Sequence, residues 1–357
     1  MTIPEQATDR GGRRGLDLVP VASESASKKD YSSDQEVRWC PGCGDYAILS
    51  AVQSLLPELG LRRENIVCIS GIGCAARFPY YLNTFGLHSI HGRAPAIATG
   101  LATSRPDLSV WVIGGDGDFM SIGGNHLIHA LRRNVNLTLL MFNNRIYGLT
   151  KGQYSPTSEV GKLTKSTPAG SVDFPFNPVS LALGAEATFV ARSIDSDRKH
   201  LTSVLRAATE HRGAAFVEIL QNCNIFNDGA YDILKDPDTR DTAVIRLESG
   251  QPLRFGVDGS KGVRLSQSGG LEIVDVTPDN ETSLLVHDAG QPEPSLPFLL
   301  SRLGNVEGGV TPIGVFRSVD RPVYDDEVRG QIRSAIATAG PGDLGALLGS
   351  GDTWTVD

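Results

Sequence analysis

A parallel-sheet α/β fold is what this sequence predicts, and three observations carry the prediction. Short runs of β-branched and aliphatic residues recur between Trp39 and Asp236, stretches with helical spacing separate them, and several runs end abruptly in glycine or asparagine. Strands buried on both faces read as uninterrupted apolar runs, and parallel neighbours need a crossover, usually a helix, between them. The chain has 357 residues, 40% hydrophobic and 21% charged, which is ample for a large core.

Residues 1–30 are polar, rich in Ser, Gly and Arg, and lack periodicity, so they predict a flexible N-terminal arm. Residues 31–236 form the predicted core. It opens with a helix over Tyr46 to Leu56 and a strand over Asn65 to Ser70 that runs into a glycine turn. A helix over Pro95 to Ser104 follows, then a strand over Leu108 to Ile113 that stops at Gly114-Gly115. Apolar spacing gives a helix over Ile122 to Leu131, with Arg132-Arg133 where cations favour a helix C-terminus. The strand Leu137 to Phe142 leads into Asn143-Asn144, and Glu159 to Phe176 reads as a long loop able to close over a site. A helix near Pro178 to Leu183, a strand over Ala187 to Ala191, a helix over Arg198 to His211 and a strand over Ala214 to Leu220 complete the core. Residues 237–357 are predicted to be a small C-terminal extension with strands at Thr242 to Leu247, Leu271 to Val276 and Thr282 to Val286, and a helix over Asp325 to Ala337. No internal repeat or membrane-spanning run is present, and no apolar leader precedes the core, which predicts a cytoplasmic protein.

Asp116, in Gly115-Asp116-Gly117, and Asn144, in Asn143-Asn144, close two consecutive strands with one helix between them. A right-handed crossover returns the chain to the same sheet edge, so both residues belong at carboxyl ends of neighbouring strands, where open α/β sheets bind ligands. One carboxylate, one amide oxygen and a backbone carbonyl just beyond, most simply that of Ile146, suit a hard divalent cation carrying a diphosphate. Glycines 114, 115 and 117 let the backbone approach phosphates, and the following helix offers free N–H groups. Either half alone is also an ordinary turn; the spacing of the pair favours the cation.

Five cysteines stand at 40, 43, 68, 74 and 223. Without a leader segment, thiolate chemistry is a better expectation than disulfides. Cys40 and Cys43 precede a helix whose N-terminus would favour thiolate. Cys74 follows one strand and Cys223 another, so parallel strands would deliver four sulfurs to one edge, while Cys68 sits mid-strand and reads as a core residue. Four thiolates hold zinc or an iron-sulfur cluster, and spacing does not choose between them.

The Asp116 and Asn144 motifs together look like the thiamine-diphosphate motif. Trp39-Cys40-Pro41-Gly42-Cys43-Gly44, Gly71-Ile72-Gly73-Cys74, His91-Gly92-Arg93-Ala94 and Tyr147-Gly148-Leu149-Thr150-Lys151-Gly152-Gln153 resemble the β subunit of 2-oxoacid:ferredoxin oxidoreductases. The likeness runs from about Trp39 to Asn227, with a weaker echo at Thr311 to Arg317. It implies the diphosphate-binding half of a thiamine-diphosphate fold, with Mg2+ on Asp116, Asn144 and the Ile146 carbonyl. It also implies a 4Fe-4S cluster on Cys40, Cys43, Cys74 and Cys223. Cofactor contacts implied are Ile72, Gly73, Cys74, Ala75, His91, Gly92, Gly115, Gly117, Asp118, Gly148 and Leu149. The reaction implied is oxidative decarboxylation of a 2-oxo acid with coenzyme A, electrons leaving through the cluster to ferredoxin. By the same resemblance the pyrimidine-binding half and its glutamate belong to a partner α subunit, in an α2β2 heterotetramer.

Three side chains keep two readings each. His91 is a reaction-centre or diphosphate contact, or a satisfied loop histidine. Asp118 is cofactor-adjacent, or a helix cap. Arg77, three residues after Cys74, grips the distal carboxylate of 2-oxoglutarate in preference to pyruvate, or meets a phosphate, the partner or solvent; Lys151 is a second cation for that role. A net charge of −8 without a basic, aromatic-laced stripe excludes nucleic acid. Arg62-Arg63 and Arg132-Arg133 are the basic pairs available to an acidic electron carrier, or solvated helix ends.

Overall fold

The computed structural model describes residues 14–305 and 308–356. In chain order its elements are helix α1 (Asp45–Leu59), strands β1 (Ile66–Ser70) and β2 (Phe85–His88), α2 (Ala94–Ser104), β3 (Ser109–Gly115), α3 (Asp116–Met120), α4 (Gly124–Arg133) and β4 (Leu137–Asn143). Next come α5 (Pro178–Gly184), β5 (Phe189–Ile194), α6 (Arg198–Glu210), β6 (Ala214–Leu220), α7 (Arg240–Ala243), β7 (Val244–Leu247), β8 (Arg254–Phe255), β9 (Lys261–Leu265) and β10 (Leu271–Asp275). The chain closes with α8 (Ser295–Ser301), β11 (Thr311–Ser318), α9 (Tyr324–Ala339) and α10 (Leu344–Leu348).

Eight strands form one sheet in the order β2-β1-β3-β4-β6-β5-β11-β7. All neighbours pair in parallel except β5 with β11. The apolar runs are uninterrupted because both faces of the sheet are covered. Val110, Val112, Leu139 and Met141 pack on the side of α2, α4 and α5. Trp111, Ile113, Leu140 and Phe142 face α1 and α6. Cys68 lies in this second layer, 1% exposed, as its mid-strand position predicts.

Residues beyond 236 contribute to the same sheet, since β11 pairs with β5 and β7 pairs with β11. Pro312 and Gly314 hide β11 from a reading by strand propensity, and β2 escapes because it is a wholly exposed edge strand containing Gly86. A separate antiparallel sheet holds β8, β9 and β10. The strand expected over Thr282 to Val286 is not formed. Asn280 accepts from the Thr277 N–H (2.9 Å) and donates to the Asp275 carbonyl (2.8 Å), and this local turn leads into a 3-10 turn at Glu281–Ser283. Of the arm expected over residues 1–30, residues 1–13 lie outside those described. Residues 15–19 are packed, with Leu16 and Val19 each 2% exposed in the α1/α6 layer, while residues 21–30 are mostly exposed.

Candidate functional site

β3 ends where Gly115 turns directly into α3, whose first residue is Asp116. The β3–β4 register pairs Gly115 with Phe142, so Asp116 lies beside Asn143, with Asn144 one step beyond. Gly117 tolerates no side chain: a Cβ there would stand 2.1 Å from the ring of Tyr147, whose hydroxyl donates to the Gly117 carbonyl at 3.1 Å. The Asp116 carboxylate is 2% exposed and accepts hydrogen bonds from Ser155 (2.5 Å) and Thr157 (2.6 Å). Burial pushes its carboxyl up to about 6, against the two hydroxyl donors that pull it down. The Asn144 amide oxygen accepts from the Ile146 N–H at 3.1 Å, which folds the Ile146 peptide back over the same rim. These oxygens are of the hard type that Mg2+ requires.

Asp118 proves to be neither a simple helix cap nor solvent-facing. One of its oxygens accepts from the Ile72 N–H (3.0 Å), the Gly92 N–H (2.8 Å) and His91 Nδ1 (2.6 Å). It thereby clamps the Gly71–Gly73 and His91–Gly92 turns onto α3. His91 is held with Nδ1 as the donor, so Nε2 of a half-exposed ring remains available to a ligand. The other Asp118 oxygen is buried and unpartnered, and stands where a Cβ on Gly71 would collide with it at 2.0 Å.

Three loops bring four of the cysteines to the same rim. The Cys43 N–H donates to the Cys40 carbonyl (3.0 Å), and the Gly44 N–H docks this turn on the Asn222 carbonyl (3.1 Å), next to Cys223. Trp39 Nε1 donates to the Cys74 carbonyl at 2.7 Å, joining the second loop. At Gly148 a Cβ would lie 3.5 Å from the Cys74 sulfur and 3.7 Å from that of Cys223. Cys43 shares charge coupling with Cys74 and Cys223, and Cys74 does so with Cys40. The Asp45 N–H at the start of α1 does favour the Cys43 thiolate, but burial outweighs it: burial, reinforced by the buried Asp45 carboxyl, pushes the Cys43 thiol up and that of Cys74 up to about 12. A bound cationic centre reverses that balance. Among the described residues no three His, Cys, Asp or Glu side chains already stand in a metal-binding arrangement.

Ile72, Gly73, Leu149, Arg77 and His88 line one cavity of about 450 Å³. Ile72 and Leu149 are 43% and 40% exposed apolar side chains there, and Arg77 donates to the Arg38 carbonyl at 3.2 Å. Ala75 is buried behind this cavity's wall, and Lys151 is exposed in a left-handed turn. Ser155, Thr157 and Asn227 also belong to this rim and lie outside every motif of the sequence. Asn227 donates to the Asn144 carbonyl (2.9 Å) and accepts from Lys162 (2.5 Å), tying the Asn144 loop to the long loop. The available signal was Ser155-Pro156-Thr157-Ser158, three hydroxyls in four residues just before that loop.

The described helices include none long and apolar enough to cross a membrane. The family model for the thiamine pyrophosphate enzyme C-terminal TPP binding domain matches residues 71–219, which run from the loop after β1 through β2 into β6 and include the Asp116 and Asn144 loops. The 2-oxoglutarate oxidoreductase subunit KorB of Mycobacterium tuberculosis is 61% identical over 341 residues, 95% of this chain and 91% of that protein. A 2-oxoacid:ferredoxin oxidoreductase subunit beta of Saccharolobus solfataricus is 46% identical over 192 residues, 53% of this chain and 63% of the relative. A solved 2-oxoglutarate:ferredoxin oxidoreductase from Magnetococcus marinus, with 2-oxoglutarate, coenzyme A and succinyl-CoA bound, superposes with a TM-score of 0.73 at 33% identity, covering 94% of this chain and 100% of that one. A sheet edge organised around Asp116, a thiamine-pyrophosphate domain match and a 61% identical relative over nearly the whole chain lead to one conclusion: the chain belongs to the KorB family of 2-oxoacid:ferredoxin oxidoreductase β subunits.

Proposed function

We propose that this chain is the β subunit of a cytoplasmic 2-oxoglutarate:ferredoxin oxidoreductase. It converts 2-oxoglutarate and coenzyme A to succinyl-CoA and carbon dioxide, passing two electrons to ferredoxin. The observation that carries this reading is one juxtaposition: Gly148, four residues past Asn144, lies against the Cys74 and Cys223 sulfurs. A diphosphate site and a sulfur site therefore share a single loop.

In this reading Asp116, Asn144 and the Ile146 carbonyl hold Mg2+, and Cys40, Cys43, Cys74 and Cys223 hold a 4Fe-4S cluster. Thiamine diphosphate, when bound, supplies the electron sink for decarboxylation, and the cluster takes electrons singly. The chain's own residues position and shield. Gly115, Gly117 and the N–H groups of α3 receive the diphosphate, and Gly92, Gly148 and Asp118 keep the loops around it in place. Ile72, Gly73 and Leu149, backed by buried Ala75, form the apolar wall, which excludes water from the reacting carbon. His91 presents Nε2 to the site, and Arg77 attracts the distal carboxylate of the substrate. A partner α subunit supplies the pyrimidine-binding half and its glutamate, giving an α2β2 heterotetramer.

Co-expression with the α partner tests the whole reading. Purified complex is expected to be brown and to reduce a low-potential dye with 2-oxoglutarate only when coenzyme A is present; colourless, zinc-loaded protein would refute it. Within it, Cys223→Ser is expected to lose iron, and Arg77→Ala to raise KM for 2-oxoglutarate far more than for pyruvate. Equal effects on both substrates would remove Arg77 from substrate choice.

A further inference from the structure

The carboxyl edge of the sheet carries a second crevice. It opens beyond β4, between the ends of β6 and β5 and the start of β11, as a cavity of about 610 Å³. Because β11 runs antiparallel to β5, its first residues Thr311 and Pro312 arrive at this same rim. The volume is in the range of small-molecule sites, and the carboxyl edge of an α/β sheet is where such sites form.

Two lining side chains have no use in the Asp116 site. Arg145 stands between Asn144 and Ile146 with φ +55°, a left-handed backbone that an arginine adopts only at a cost. Its guanidinium lies over the ring of Tyr231 at 4.8 Å and makes no ion pair among the described residues. Glu159, which feels its charge, is itself paired with Lys162 at 2.9 Å. Tyr231 is 2% exposed and its hydroxyl has no hydrogen-bond partner, an unfavourable state for a buried polar group. That hydroxyl lies within electrostatic reach of Arg145, Glu218, Asp116 and Arg192.

The remaining wall is tied together by an ion pair and hydrogen bonds. Arg192 donates to Glu218 at 2.6 Å, and Glu218 accepts from Asn143 at 2.7 Å. Glu218 pairs with Arg192 and Glu159 with Lys162 behind it, so among the described residues Arg145 and Arg302 are the lining cations without an ion pair. Phe176 and Ile233, 51% and 59% exposed, add apolar surface at the mouth.

We propose that this cavity binds a small organic anion, a carboxylate or phosphate on an apolar or aromatic body, whose head group pairs with Arg145 and accepts from the Tyr231 hydroxyl. The site adjoins the proposed diphosphate site, with Thr157 common to both, and does not depend on which 2-oxo acid the protein uses.

Calorimetric titration of the purified full-length protein in its complex, saturated with Mg2+ and thiamine diphosphate, tests the proposal. Adenosine 5′-monophosphate probes the phosphate source and 4-hydroxyphenylacetate the carboxylate source. One of them is expected to bind once per chain, with Arg145→Asn weakening it about tenfold or more. Asparagine accepts the left-handed backbone, so the loop keeps its course. Tyr231→Phe is expected to weaken binding several-fold with an unchanged or raised melting temperature, because the hydroxyl removed has no partner. Failure of both probes to bind at millimolar concentration, or wild-type binding by Arg145→Asn, overturns it.

Discussion

Asp116 and Asp118 leave the same short helix two residues apart, both 2% exposed, and serve opposite ends. Asp116 meets two rotatable hydroxyls, from Ser155 and Thr157, which can turn away when a cation arrives. Asp118 meets two backbone N–H groups and a histidine, partners fixed by the course of the chain. Adaptable donors leave a carboxylate available for a ligand, while fixed donors make it part of the scaffold. Buried carboxylates are not equivalent merely because they share a helix.

The contrast can be broken most directly at Asp116. Asp116→Ala should leave no stoichiometric thiamine diphosphate bound in the presence of Mg2+, since even the outer partners of metal ligands are worth roughly 10–100-fold. Equilibrium dialysis reads this, and retention of cofactor by the variant would end the metal assignment. Asp118→Ala should instead act on the fold. Stranding two N–H groups and a histidine should cost about 3–5 kcal/mol in denaturant unfolding; a loss below about 1 kcal/mol would make Asp118 a ligand group rather than a clamp.

A smaller effect sharpens the difference through pH. The carboxyl of Asp116 is raised from an ordinary aspartate's range to about 6, so the folded state favours its protonated form. The stabilisation is complete below about pH 4 and is lost as pH rises through 6. Without metal or cofactor, Asp116→Asn should therefore match wild type near pH 4 and exceed it by about 3 kcal/mol at pH 7. A difference that does not change with pH would show that the carboxylate is not strained by burial. Smallest of all, Ser155→Ala should weaken Mg2+-dependent cofactor binding by about tenfold, as loss of an outer-shell partner does, with little change in stability.

Much of the sheet was legible because burial on both faces writes itself as apolar runs. β6 falls on Ala214–Leu220 as read, and β4 extends its reading only to Asn143. β5 is displaced to Phe189–Ile194, because Ala187 and Thr188 are buried without joining the ladder, and propensity does not see pairing. The strand β11 was unreadable for a stronger reason: its place beside β5 is set by a partner more than a hundred residues away. At the site, the Asp116, Asn144 and cysteine motifs stood out through glycine spacing. Ser155, Thr157 and Asn227 carry no such spacing, since hydroxyl and amide donors are common in any loop.

The sequence by itself determined the strand-helix alternation, the carboxyl-edge location of Asp116 and Asn144, and the loops that carry Cys40, Cys43, Cys74 and Cys223. These are local facts, written in periodicity and turn chemistry within a few residues. Only the tertiary structure decided that Asp118 clamps three segments, that burial outweighs the helix terminus at Cys43, and that β11 closes a second crevice over Arg145 and Tyr231. Each of those depends on desolvation and on contacts between distant parts of the chain, and both exist only once the layers have packed.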